Sequence, residues 1–299
     1  MFALSRTGRS PAAVSCAHLL VLLLAPAVCG GSAAADTALL PAARANTIYS
    51  ESYGLSNGAG EYFFAGRTLS GNDRRGLIAF DVASGVPTGS TITAVTLRLH
   101  MSRTLAGNET VSLHRVLTDW GEGTADAPGE EGGGAAATDG DATWAYTFYE
   151  TTDPPAAPAW TTTGGDYAPA ASATASVDII GIYSWGSTAQ LVADVQLWLD
   201  DPASDFGWIV MGNEAQQQTT KRFDTRENIE LTFQPVLTVS YSPPCPADMD
   251  GDNAVAVPDL LALLAAWGTN PVGPPDLDGD GTVAVPDLLQ LLAAWGPCP

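Results

Sequence analysis

Eight aspartates between Cys245 and Pro299 are the residues whose type and spacing speak most directly of chemistry. Asp248, Asp250, Asp252 and Asp259 fall at positions 1, 3, 5 and 12 of one loop, and Asp276, Asp278, Asp280 and Asp287 repeat that spacing. An EF-hand-type turn wraps hard oxygen ligands around calcium with this spacing. Position 7 lends a backbone carbonyl, here from Ala254 and Thr282. Position 6 needs a residue tolerant of positive φ, and Asn253 and Gly281 both qualify. Position 9 is Ala256 or Ala284, which leaves that part of the shell to water, and position 12 is Asp where Glu is commoner. The segment has no Lys or Arg, so its converging carboxylates repel unless a hard divalent cation sits among them. Polar turns built from Asp and Gly are the competing reading. They do not explain why every acid of the segment sits on a ligand position in two copies. Two Ca2+ sites are expected.

Each loop must be held by the segment after it. Pro258 and Pro286 suit a first helical turn, and Leu260, Leu261, Leu264 and Trp267 recur at helical spacing before Gly268. Leu288, Leu289, Leu292 and Trp295 repeat the pattern. One such short helix cannot bury its apolar face alone, so the two copies are expected to pack together. Cys245 and Cys298 bracket the pair and would form a disulfide if their Cα atoms come within bridging range. Residues 245–299 resemble a type I dockerin, a duplicated calcium loop–helix module. The resemblance implies a cohesin-like or cell-surface protein as partner and attachment as the role. At loop positions 10 and 11, where that family often carries Ser or Thr, stand Val257-Pro258 and Val285-Pro286.

Ahead of this module the sequence reads as short strands. Val95, Leu97, Leu99 and Met101 alternate with Thr96, Arg98 and His100, and period-2 runs recur at Val111-Leu113 and Leu237-Val239-Tyr241. Leu77–Phe80 and Phe206–Val210 read as strands buried on both faces. One helix is expected after a Ser187 or Thr188 cap, with Leu191, Val195, Trp198 and Leu199 inward and Pro202 past its end. The fold class expected is mainly β, a jelly-roll-like antiparallel β-sandwich with one helix over residues 46–242, followed by the small α-helical module. RRGLIAFDV, VPTGSTITAVTLRLHM, VSLHRVLTDWGEG, FGWIVMGNE, KRFDTREN and PVLTVSY, in this order, resemble the DNRLRE domain. That group is related to disaggregatase-type repeats and carbohydrate-binding modules of secreted bacterial proteins. The resemblance implies a β-sandwich that binds rather than catalyses.

The N-terminal residues 1–35 have the layout of a signal peptide: Arg6 and Arg9, an apolar stretch from Ala17 to Val28, then Ala33-Ala34-Ala35. The apolar stretch is short for a membrane span. Cys29 offers lipidation as the minority alternative, against which Val28 before it is larger than the Gly, Ala or Ser a lipobox prefers. Cleavage near Ala35 would leave only Cys245 and Cys298, an even pair in an oxidising compartment. The formal charge of −21, from 33 acids against 12 bases, argues against nucleic acid and anionic membrane as partners.

No constellation reads as catalytic. His100 and His114 lie inside predicted strands at non-ligand spacing. Gly54-Leu-Ser56-Asn-Gly58 matches G-x-S-x-G but sits in a turn without the strand and helix of a nucleophile elbow. Glu130-Glu131 and Asp139/Asp141 fall in a Gly/Ala-rich stretch, residues 121–142, expected to be a loosely held surface loop. A glycosidase pair needs rigid placement instead. Trp120, Trp144, Trp160 and Trp185 are read first as core or loop anchors and second as exposed indoles for stacking on a sugar. Arg222, Asp224 and Arg226 fit either a glycan site or a structural ion-pair network. Asn57, Asp81 and Asp224 lack the spacing for a further calcium site. The chain is thus expected to be a secreted, non-catalytic binding protein whose sandwich contacts polysaccharide or another extracellular surface. A structural cell-envelope protein that binds proteins is the alternative, and a polysaccharide-degrading enzyme ranks third.

Overall fold

A computed structural model of the chain describes residues 35–152, 156–271 and 273–298. The leader expected over residues 1–35, apart from Ala35, lies outside the described residues. In chain order the elements begin β1 (Asp36–Tyr49), β2 (Leu55–Ser56), β3 (Tyr62–Arg67), β4 (Asp73–Phe80), one-turn α1 (Val82–Gly85), β5 (Thr91–Thr104) and β6 (Glu109–Arg115). Then come β7 (Ala135–Ala136), β8 (Ala173–Val177), β9 (Gly181–Trp185), α2 (Ala189–Asp200), β10 (Trp208–Met211), β11 (Lys221–Asp224) and β12 (Val236–Ser242). The C-terminal part holds β13 (Ala254–Val255), α3 (Val257–Ala265), α4 (Val285–Ala293) and β14 (Gly296–Pro297).

The chain is mainly β, and its strand pairs are antiparallel. In one sheet β5 lies between β9 on one side and β12 and β11 on the other. In the other, β8, β6, β10 and β4 follow one another. β1 serves both: Asp36 to Pro41 pair with β12, and Ala42 to Tyr49 pair with β4 across a bulge between Ala42 and Arg44. β3 does likewise, through β11 and then through Gly66 and Arg67 to β4. The first strand therefore starts at Asp36, earlier than the expected boundary at residue 46.

Alternation fills the space between the sheets. Val95, Leu97, Leu99 and Met101 of β5 are fully buried and meet Phe63, Ile78, Trp208, Val210 and Phe223 in one core. Phe63 stacks on Phe223 with centroids 5.3 Å apart. Helix α2 covers this core as expected, capped by Thr188, whose side chain accepts from the Leu191 N–H. Its buried Trp198 meets Trp208 edge-on at 4.5 Å. Asp194, on the same helix, is buried because it is fully engaged. It accepts from Trp208 Nε1 (3.0 Å), takes the Ser172 hydroxyl and pairs with Arg115 at 3.2 Å. Lys221 is likewise buried, its ammonium donating to the carbonyls of Ala106 (3.4 Å), Gly107 (2.6 Å) and Asp178 (3.0 Å).

The acidic Gly/Ala-rich stretch is not the loosely held loop its composition suggests. Glu131 is buried and accepts from Asn57 Nδ2 (2.8 Å), Tyr62 N (2.9 Å) and Glu61 N (3.1 Å). Asp141 is also buried and accepts from Thr138 N at 2.6 Å. Asn46 ties the stretch to β1: its Oδ1 accepts from Ser56 Oγ and Asn57 N, and its Nδ2 donates to Glu122 O. Glycine makes this approach possible. A Cβ on Gly121 would lie 1.7 Å from the Gly140 carbonyl oxygen.

Candidate metal centre: the paired aspartate loops

The two loops share one hydrogen-bond scaffold. Asp248, at position 1, accepts from Gly251 N (2.8 Å) and Asn253 N (2.8 Å); Asp276 accepts from Gly279 N and Gly281 N, both at 2.9 Å. Asp252 accepts from Ala254 N at 2.9 Å, and Asp280 from Thr282 N at 2.8 Å. These contacts tie the carboxylates to the loop backbone, with Asp250, Asp252, Asp278 and Asp280 open to solvent. Asp248, Asp250 and Asp252 each place an oxygen within 4.8 Å of the others, as do Asp276, Asp278 and Asp287. Position 6 takes the left-handed conformation in both copies, with Asn253 at φ 66° and Gly281 at φ 87°.

Position 12 links loop to helix. Asp259 is buried, and its Oδ1 accepts from Met249 N (2.7 Å) and Asp250 N (3.3 Å) while Oδ2 accepts from Ala256 N (2.8 Å). Asp287 repeats this with Leu277 N (2.7 Å), Asp278 N (3.1 Å) and Ala284 N (2.7 Å). Each carboxylate thus satisfies an orphan N–H at the helix start and reaches back over the loop entrance. Burial pushes the Asp259 carboxyl up, but the N–H groups of Ala256, Met249 and Asp250 outweigh it and hold it below its ordinary value. Asp287 is also held low, foremost by the Ala284 N–H, against desolvation. Asp250 moves the opposite way, raised by desolvation and by the charges of Asp252, Asp259 and Asp248. In Asp278 the Asp280 N–H pulls the value down, and desolvation with the charges of Asp280, Asp287 and Asp276 outweighs it.

The donor set is all oxygen and anionic, its carboxylates held close against their mutual repulsion. It fits a hard divalent cation of calcium type better than any soft or imidazole-preferring metal. Asp248, Asp250, Asp252 and Asp259, with the Ala254 carbonyl, would hold one ion. Asp276, Asp278, Asp280 and Asp287, with the Thr282 carbonyl, would hold the other.

The helices are oriented differently from the simple apolar-face expectation. Leu263 and Leu291 are the fully buried positions, packed with Val255, Val283 and Ala247, and Leu260 and Leu288 are half-buried. Leu261 (61% exposed), Leu264 and Trp267 point outward, and so do Leu289 (61% exposed), Leu292 and Trp295. The copies do share a core, but through a stripe that the sequence pattern does not single out. Cys245 and Cys298 are bridged, with Cα atoms 5.8 Å apart.

Other candidates fall into structural settings. Trp120, Trp160 and Trp185 are buried, their indole N–H groups donating to Phe206 O, Thr143 O and Val111 O. They are withdrawn as sugar-stacking residues because no face is open. Trp144 is half-buried, with the Arg75 guanidinium 4.8 Å from its ring. Asp224 is buried, 2.5 Å from His100 Nδ1, and the His100 ring stacks on Phe233 at 3.9 Å. Arg226 pairs with Glu122 at 2.6 Å. Arg222 lies over Tyr62 (3.7 Å) and reaches Glu130 (2.6 Å). The Arg226–Glu122 and Arg222–Glu130 pairs bind the acidic stretch to the β-rich domain. Arg222 also lines a concavity of about 240 Å³ with Phe64, Leu69, Arg74, Arg103 and Leu105. Ser56 is buried and bonds Ala142 O and Asn46 Oδ1, not a histidine. His114 contacts Ala168 O and Ser112 Oγ. The His100–Asp224 pair spans two strands distant in sequence, so no local spacing could have revealed it.

Among the described residues, no helix is long and apolar enough to cross a membrane. No protein-family model matches the chain, and no curated protein matches it in sequence.

Proposed function

We propose that this is a secreted, non-catalytic binding protein whose C-terminal module folds around two calcium ions and attaches the β-rich domain to a protein partner. The reading is carried by one observation: two loops repeat the same backbone N–H bonds to the carboxylates at positions 1, 5 and 12, and each presents an outward apolar helix face beside it. From the helices Leu263 and Leu291, with half-buried Leu260 and Leu288, turn into the core, so Leu261, Leu264, Trp267 and their counterparts are left for a partner surface. A dockerin-like module with a cohesin-like or cell-surface partner is the description that fits best. Val-Pro at positions 10 and 11, in place of the Ser or Thr common there, counts against an ordinary cohesin as that partner.

The β-rich domain is read as a DNRLRE-type, jelly-roll-like sandwich that contacts polysaccharide. The concavity beside Arg222 is its best-supported contact point, with apolar walls and guanidinium edges. Calorimetric titration of the full chain with calcium tests the module, and two bound ions per chain are expected. No calcium binding would remove the central claim. A glycan array with the wild type and Arg222→Ala tests the sandwich, and a result with no glycan bound by either favours the protein-binding, envelope alternative.

A further inference from the structure

The two loops differ in how their strand partners are held. Val255 of the first loop pairs with Gly296 in the β13–β14 ladder, and the Cys298 N–H donates to the Asn253 carbonyl at 3.0 Å. In the second loop the equivalent bonds run from Gly268 N to Val283 O (2.8 Å) and from Val283 N to Thr269 O (3.0 Å). Gly268 and Thr269 are fixed on both sides by the fold itself, by α3 before them and the second loop after them. Gly296 and Pro297 have α4 on one side and the Cys245–Cys298 bridge on the other.

Both half-cystines also touch the first ligand of the first loop. The Asp248 N–H donates to the Cys245 carbonyl at 3.0 Å, and Cys298 Sγ lies 3.7 Å from Asp248 Oδ2. At the corresponding places of the second copy stand Gly273 and Asn270, whose contacts are not covalent. The bridge therefore supports position 1 and the position 6–7 backbone of one loop only.

The geometry points to the Cys245–Cys298 disulfide as a redox gate that bears more on the first calcium site than on the second. This rests on the calcium reading above. In the opening step a dithiol reductant attacks the bridge as a thiolate. The Cys245–Cys298 S–S bond breaks, the reductant closes to its own disulfide, and its two protons end on the two cysteine thiols. With the bridge open, β14 is no longer clamped against β13, and Asp248 and the Ala254 carbonyl lose their outer support. Lost support of this kind weakens metal binding roughly ten- to a hundred-fold.

The test is calorimetric calcium titration of the full-length protein, oxidised or reduced with dithiothreitol. Asp278→Asn leaves the first loop to be read, and Asp250→Asn leaves the second. Reduction should weaken calcium binding in Asp278→Asn roughly ten- to a hundred-fold more than in Asp250→Asn, which feels only the cost shared by the whole module. A Cys245→Ser/Cys298→Ser double substitution in the Asp278→Asn background should match the reduced protein without any reductant. Retained binding by the second loop shows that the reduced module is still folded. Equal weakening of both loops, or of neither, overturns the gate while leaving the calcium reading standing. An oxidised protein that binds no calcium overturns both.

Discussion

Leu263→Ala is the sharpest test of which helix face is buried and of how folding is tied to metal. Leu263 is 0% exposed, and removing most of its side chain leaves a cavity among Val255, Val283 and Leu291. Such truncations cost about 2–5 kcal/mol. If the module folds only as it binds, that cost appears in the calcium midpoint. A loss of ~3 kcal/mol shared between two ions is ~1.5 kcal/mol each, so the midpoint should rise about tenfold. Leu261, two residues before it and 61% exposed, provides the control. Its truncation should move the midpoint by less than a factor of about two, since exposed changes stay within ~0.5 kcal/mol. The assay is hydrogen exchange of α3 and α4 in the full chain against buffered free calcium. Equal midpoints for the two variants would refute both the assigned face and the coupling.

Three more perturbations probe the same contacts. EDTA at low salt should abolish exchange protection in α3 and α4 while sparing α2, because only the former sit on converging carboxylates; unchanged protection of α3 would contradict this. Burial foremost raises the Asp205 carboxyl to about 7, so the folded state holds a proton that the unfolded state releases near pH 4. Stability should therefore fall as pH rises through about 4 to 7, by up to ~4 kcal/mol, and Asp205→Asn should flatten that slope in urea titrations. Asp194→Ala strands Arg115, Ser172 and the Trp208 N–H together and should cost about 3–5 kcal/mol, measured by chemical denaturation.

The left-handed backbone at position 6 of each loop was legible because only a few residue types tolerate it, and Asn253 and Gly281 stand there. The β5 alternation and the Thr188 cap were legible for equally local reasons. The buried stripe of α3 was not. VPDLLALLA is apolar nearly all round, so its period alone cannot choose Leu263 over Leu261. The stretch over 121–142 misled for another reason. Its order comes from Asn46, Asn57 and Arg226, all distant in sequence, and low complexity hides contacts of that range. Tryptophan exposure was equally a tertiary property, decided by what sits over each ring.

Lys221, held at the carbonyls of Ala106, Gly107 and Asp178, is the one lysine in the sequence. The folded chain therefore displays no side-chain amine, and every permanent side-chain cation on its surface is a guanidinium. Acylating reagents, amine cross-linkers and enzymes that modify lysine find no side-chain target until the sheet carrying β11 opens. Covalent labelling of Lys221 is thus a direct clock for that opening, read from a single residue.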